Sequence, residues 1–495
     1  MNDSKKCRFH VFAVAVSTLA MAGIIIINNV FLTKPVESVS GILSEIKGNI
    51  ASEMKNNEKT AMLSDNGSSP DEEYSYWAYD NDGITITGYK GTASEITIPE
   101  EINGKKVISI GEGAFKDCSS LRSVTITDGV TSICDNAFEN CYFLTSVKIP
   151  DSVTSIGKYA FYNCSALRSI NIPDGITEIK ERTFDGCCYL PSITIPDSVT
   201  GINGYAFAEC ASLTSIIIPD NVMRIGTNIF YACTSLTSVT LSAGITEIND
   251  AFTFCTSLKT IKVSADNPKY SSVDGVLFNK NKTMLIYYPN GRKDESYDIP
   301  SGVTKIGNSA FRSCSSLAFV TIPDGVIDIG GYAFSNCTAL SSVAIPDGVK
   351  NIGVAAFYNC SSLTSVTIPD SVKTISPSAF CECKALTSVN IPNSVTGIGR
   401  HAFRYCSSLT SITIPEGVVS IGEEAFRYTS LTSVHIPNLF AIVNASAFDD
   451  DITVTKGSVK SIIIPLLCLV ILAVVTIVVI CRIRGKRMGR IIRLK

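Results

Sequence analysis

The apolar positions of this chain follow one pattern through most of its length. Phenylalanine recurs at Phe115, Phe138, Phe161, Phe184, Phe207 and Phe230, every 23 residues, and at Phe252 after 22. After an interruption the spacing resumes at Phe311, Phe334, Phe357, Phe380, Phe403 and Phe426 and closes at Phe448. One unit reads Cys360-Ser-Ser-Leu363-Thr-Ser-Val366-Thr-Ile368-Pro369-Asp370-Ser-Val372-Lys-Thr-Ile375-Ser-Pro-Ser-Ala379-Phe380. Val366-Thr-Ile368 alternates apolar and polar, which predicts a strand with Val366 and Ile368 inward. Pro369 ends that strand because it cannot donate to a ladder. Pro-Asp-Ser or Pro-Asp-Gly then supplies turn chemistry. Val372 and Ile375 return to the core in a short second segment. Ala379-Phe380 is expected on a short helical turn, with the ring filling the interior. A fixed period of this size predicts a solenoid, in which each unit buries its apolar side only against its neighbours. The solenoid is expected over residues 74–455, as a single domain, with a hairpin insert at about 264–298.

The repeat resembles the BspA-like class of leucine-rich repeat, with its pattern Cys-x-x-Leu-x-x-Val-x-Ile-Pro-x-x-Val-x-x-Ile-x-x-x-Ala-Phe. Two odd pieces share the resemblance. Gly83-Ile-Thr-Ile-Thr-Gly88 with Ile96-Thr-Ile-Pro99 is similar to the N-terminal unit of that class, with Trp77 in the cap. Ser272–Phe278 with Leu285–Pro289 is similar to its inserted hairpin. The resemblance implies an α/β solenoid, a right-handed leucine-rich-repeat superhelix with a parallel sheet on its concave side. It also implies an adhesin that attaches to host matrix proteins or other cells. Asn438–Phe448 departs from the pattern, as a terminal cap should.

The flanks change the picture from a free solenoid to an anchored one. Ile462–Cys481 is 20 residues without a charge, the length needed to span a membrane as a helix. Seven cations and no acids follow in residues 482–495, which predicts a cytoplasmic tail. At the other end Lys5, Lys6 and Arg8 precede the apolar run Val11–Ile27, so residues 1–35 are expected as a signal peptide or an uncleaved signal anchor. Residues 36–73 carry eight acids and three lysines and are expected as a solvated acidic stalk or linker. With the net charge at −3, the basic ends leave the middle of the chain at −12. That balance predicts no nucleic-acid partner. The expected fold therefore adds terminal transmembrane helices, with the ectodomain extracellular.

Candidate chemistry is sparse. The three histidines, His10, His401 and His435, are too few for most metal or triad sites. No catalytic motif is present, so no enzyme, cofactor or metal site is expected. The regular cysteines, Cys118 to Cys406, occupy core positions and are expected to be mostly reduced small hydrophobes. A carboxylate column, among it Asp151, Asp174 and Asp370, could form a cation ridge, but turn chemistry explains it with too few ligands per rung for calcium. The outward strand positions form two polar columns. Their candidate binding residues are Ser123, Thr125, Ser146, Lys148, Thr194, Thr240, Thr321, Ser365, Thr367, Ser411, Thr413 and His435. Repeat proteins bind extended ligands on such faces, although threonine also simply suits a solvated strand. Tyr270, Phe278, Tyr287, Tyr288 and Tyr297 of the insert are further interface candidates where exposed. The expected partner is a macromolecule, protein or glycan, on the extracellular side, with the membrane contacted through Ile462–Cys481. The alternative is a glycan-binding or structural surface-coat protein.

Overall fold

The computed structural model describes residues 66–68, 73–79, 83–248 and 250–457. The leader at 1–35, most of the stalk, the Ile462–Cys481 segment and the basic tail lie outside the described residues. Among the described residues no helix is long and apolar enough to cross a membrane. The chain divides into two units, one of residues 1–67 with 77–80 and one of 68–76 with 81–495. Asn66–Ser68, in the expected spacer, forms a short strand, and Trp77 lies in the strand Tyr74–Tyr79.

The second unit holds the repeat, and each rung crosses the core on three sides. The first side is the strand at Val366, Ser365–Thr367, which pairs in parallel with Ser388–Asn390 one period later. Pro369 accepts the Val372 amide at 3.0 Å, closing the turn. The second side is a two-residue strand, Thr374–Ile375, parallel to Gly397–Ile398. Its brevity follows from the pattern, since only Ile375 points inward before the chain turns again. The third side is the Ala-Phe segment, and here the expected helical turn is replaced. The described residues contain no helix, so the fold is an all-β solenoid of about sixteen turns.

The reason lies in two left-handed residues in this segment, two before and two after the phenylalanine. Around Phe357 these are Ala355 (φ 53°) and Asn359 (φ 54°); around Phe138 they are Asn136 (φ 60°) and Asn140 (φ 60°). Left-handed residues do not continue a right-handed helix. They turn alternate amides outward along the solenoid axis. Ala355, Phe357 and Asn359 donate to Pro377, Ala379 and Cys381 of the next rung at 2.8–2.9 Å. The intervening amides close local turns, as Tyr358 does on Ala355 at 3.1 Å. The result is a third parallel ladder, and Asn359 reinforces it by donating its side-chain amide to Asn336 at 2.9 Å.

The core is a column of these rings. Phe334 and Phe357 stack with centroids 5.1 Å apart and planes 4° from parallel, within the favourable offset-stacking range. Around them Leu363, Val366, Ile368, Val372, Ile375 and Ala379 are buried. Gly353 marks a close approach between rungs, because a Cβ there would lie 2.4 Å from the Gly331 nitrogen.

The insert is one further rung with an added hairpin. Tyr270–Val273 pairs antiparallel with Val276–Asn279, and Met284–Tyr287 then rejoins the second ladder beside Lys305–Ile306. Tyr288 takes the phenylalanine position, donating its amide to Ala310 and stacking on Phe311. Tyr270 closes the preceding second ladder by accepting the Ile248 amide at 3.2 Å. At the C-terminal end, beyond the last recognisable unit, Thr453–Lys456 adds a strand to Ser433–Ile436.

Candidate binding face

Outward positions of the first ladder are set by strand alternation. Val124, Val147 and Val366 are buried, while the residues on either side of each are exposed or half-buried. Parallel register then aligns equivalents, Ser123 with Ser146 and Thr125 with Lys148. All twelve sequence candidates occupy such exposed or half-buried positions. Ser123, Thr125, Ser146 and Lys148 come together. With Ser169 and Asn171 they line a hollow of about 390 Å³. Ser123 and Ser146 are linked through their hydroxyls at 3.2 Å. Asn171 is committed to the scaffold, because its side chain both accepts the Ile149 amide and donates to the Ile149 carbonyl.

The other candidates are spread along the ladder. Thr240 belongs to a three-strand block with Ser215–Ile218 and Thr260–Val263, Thr321 to one with Ser296–Asp298 and Ser342–Val343, and Ser365 with Thr367 to a pair. Thr194, Ser411 and Thr413 lie on segments without ladder bonds. His435 stands near the C-terminal edge, 3.0 Å from the Thr455 hydroxyl.

The insert aromatics are not an exposed patch. Phe278 and Tyr288 are buried and Tyr270, Tyr287 and Tyr297 are half-buried. Each is used in packing: Tyr287 donates its hydroxyl to the Phe252 carbonyl at 3.0 Å, and Tyr297 packs edge-on against Tyr288. A cleft of about 310 Å³ lies beside Tyr287 and Phe254, where the third ladder is interrupted.

The cysteine column has a task that sequence reasoning missed. None of the fifteen described cysteines is joined in a disulfide. Cys360 Sγ donates to the Phe334 carbonyl of the preceding rung at 3.2 Å, Cys383 to Phe357 at 3.1 Å and Cys337 to Phe311 at 3.0 Å. The same carbonyl accepts the amide of its own rung's cysteine, as Phe357 does from Cys360 at 3.3 Å. A small apolar residue with one donor satisfies both demands. Burial pushes Cys118 up to about 11 and Cys255 up to about 12. These thiols stay protonated at neutral pH and offer no nucleophile. Among the described residues no group of three or more histidine, cysteine, aspartate or glutamate side chains is placed to hold a metal ion.

Pattern reading also passed over the corner before the first strand. Arg122 stacks over Phe143 at 4.7 Å and Arg168 over Tyr189 at 5.8 Å, and each arginine immediately precedes a serine that lines the hollow. The only signal was that arginine replaces the threonine usual at this position, as at Thr145, Thr214 and Thr364.

The solenoid has solved relatives. A leucine rich cell surface protein from Faecalibacterium prausnitzii is 34% identical over 70% of this chain and 94% of its own, with a TM-score of 0.54. A leucine-rich repeat protein from Eubacterium ventriosum is 25% identical over 73% of this chain and 94% of its own, at a TM-score of 0.50. The pneumococcal vaccine antigen PcpA shares the fold at 21% identity and a TM-score of 0.50, covering 81% of this chain and 95% of its own. No curated protein matches the chain. The family description "BspA type Leucine rich repeat region" matches over residues 89–202, 177–293, 287–375 and 327–455, and no catalytic family is indicated. With the Phe-Cys column, the three-sided rung and this match over most of its length, the chain belongs to the BspA-type leucine-rich repeat family.

Proposed function

We propose that the protein is a membrane-anchored surface adhesin whose first strand ladder binds macromolecules outside the cell. The observation that carries this reading is a division of labour within each rung. Thr321, Ser365, Thr367 and Thr413 are exposed and make no side-chain hydrogen bond among the described residues. They recur at equivalent positions of their rungs and their own side chains take no part in the scaffold bonds, which leaves a polar surface available to a ligand. Support for the surface location comes from the relative named as a cell surface protein. Support for the anchor comes from the charge-free Ile462–Cys481 followed by seven cations.

Two experiments test the reading. Protease added to intact cells should remove a solenoid epitope and spare a tag placed after residue 495; a protected solenoid contradicts the topology. For binding, the full-length protein is applied to an array of host glycoproteins and glycans. Two blocks are compared, Thr125, Ser146 and Ser169 to Glu and Thr321, Thr367 and Thr413 to Glu, with Lys350 and Lys373 to Glu as a control off the face. At least one strand block should abolish binding while the control keeps it. Normal binding by both folded strand blocks rejects the face.

A further inference from the structure

Three cations cluster at the hollow of the first rungs: Lys148 lines it, and Arg122 and Arg168 lie at the adjoining corner over Phe143 and Tyr189. Arg122 and Arg168 stand one residue before Ser123 and Ser169, and Lys148 stands on the strand between them. All three are exposed, and none forms an ion pair among the described residues. Elsewhere on the solenoid cations are often paired, as in Lys116–Glu139, Arg182–Asp185 and Arg400–Glu423. The two arginines are two rungs apart, about 10 Å by strand spacing. Each lies over a ring whose remaining surface is open: Phe143 is 50% exposed and Tyr189 60%. The lining includes the hydroxyls of Ser123, Thr125 and Ser146, groups that both donate and accept. The nearest acid on the same face is Glu95, which opposes Ser123 one rung earlier and bounds the site on that side.

We propose that this hollow binds an acidic glycan, with carboxylate or sulfate groups held by Arg122, Arg168 and Lys148. This deepens the reading of the strand face as a binding surface and rests on it. Arginine forks suit planar carboxylate and sulfate oxygens. The lining hydroxyls match sugar hydroxyls, and the open rings of Phe143 and Tyr189 accept the apolar faces of sugar rings. An acidic peptide would satisfy the cations but leave the lining hydroxyls and the flat rings unmatched. The charges and the rings occur together on these rungs, whereas in the following rung block the second polar column carries Ile217, 69% exposed.

The test is direct binding of the full-length protein to four probes of matched length: a uronic-acid oligosaccharide, a sulfated oligosaccharide, a neutral oligosaccharide and polyglutamate. At least one acidic sugar should bind, at least tenfold more tightly than the neutral sugar and polyglutamate, and which one binds identifies the anionic group. Arg122→Gln with Arg168→Gln should weaken that binding at least tenfold and flatten its salt dependence. Phe143→Ala with Tyr189→Ala should also weaken it. Arg224→Gln with Lys350→Gln should leave it unchanged. Melting temperatures of the arginine and control variants should match the parent. Equal binding of polyglutamate, equal binding of the neutral sugar, no binding of either acidic sugar, or indifference to the arginine pair would each overturn the proposal. If it fails while a strand block still abolishes array binding, only the ligand class is wrong and the face stands.

Discussion

Two sides of the same rung are built under opposite constraints. On the Phe-Cys side, side chains and backbone are spent on the neighbouring rung. The ring stacks, the thiol donates 26 residues back to the Phe carbonyl, and three alternate amides reach the next rung. On the strand side the backbone pairs and the outward side chains are left over. Ser, Thr, Lys, Asn, Ile and Phe all occur there, at Ser365, Thr367, Lys148, Asn390, Ile217 and Phe319. The strand ladder even breaks at Thr194 and Thr413 without interrupting the ring stack from Phe184 to Phe207 or from Phe403 to Phe426. Continuity resides in the turn side, and variation is tolerated where the scaffold does not need the side chain.

The largest expected effect breaks the Phe-Cys side outright. Phe357→Ala removes a ring with 0% exposure between two stacked neighbours and should cost about 3–5 kcal/mol. Chemical denaturation of the solenoid measures it, and a loss below about 1 kcal/mol would mean the ring column is not the core.

A smaller effect separates the two readings of the thiol. Cys360→Ala removes volume and the donor to Phe334, and should cost about 1–3 kcal/mol. Cys360→Ser keeps a donor and should cost less. Serine as damaging as alanine or worse would return the thiol to a simple space filler.

The third ladder is sharpened by its left-handed residues. Asn359 holds φ 54° and the Asn336 bond. Asn359→Ala forces a Cβ into that conformation and loses the bond. Asn359→Gly loses only the bond, so alanine should be the worse by about 1 kcal/mol. Equal melting shifts would show that the conformation carries no strain.

Most of the inward pattern was legible in the sequence, because burial at Val366, Ile368, Val372, Ile375 and Phe380 follows from apolar spacing alone. The third ladder was not. Its left-handed residues include Tyr159, Arg182, Glu209 and His401 as well as asparagines, with glycine at Gly113 and Gly186, so no regular glycine signal marks them, and Ala-Phe reads as helix-compatible. The donor role of cysteine was hidden for a related reason: its acceptor lies one rung away, and spacing reports burial but not the direction of an S–H. The second strand was seen only as a segment because two residues are too few to show a period. At the candidate site, the outward columns were legible by alternation. Arg122 and Arg168 were not, since averaging over repeats discards what differs between rungs.

The division of labour has one direct test. Thr321, Thr367 and Thr413 are changed together to Glu, and thermal melting of the solenoid is compared with parent and Phe357→Ala. The three positions are exposed and lie in separate parts of the strand ladder, and surface changes usually stay within about ±0.5 kcal/mol each. The triple variant should therefore melt within a few degrees of the parent, well above Phe357→Ala. A triple variant that melts as low as Phe357→Ala would contradict the account, because the strand side chains would then be holding the scaffold together.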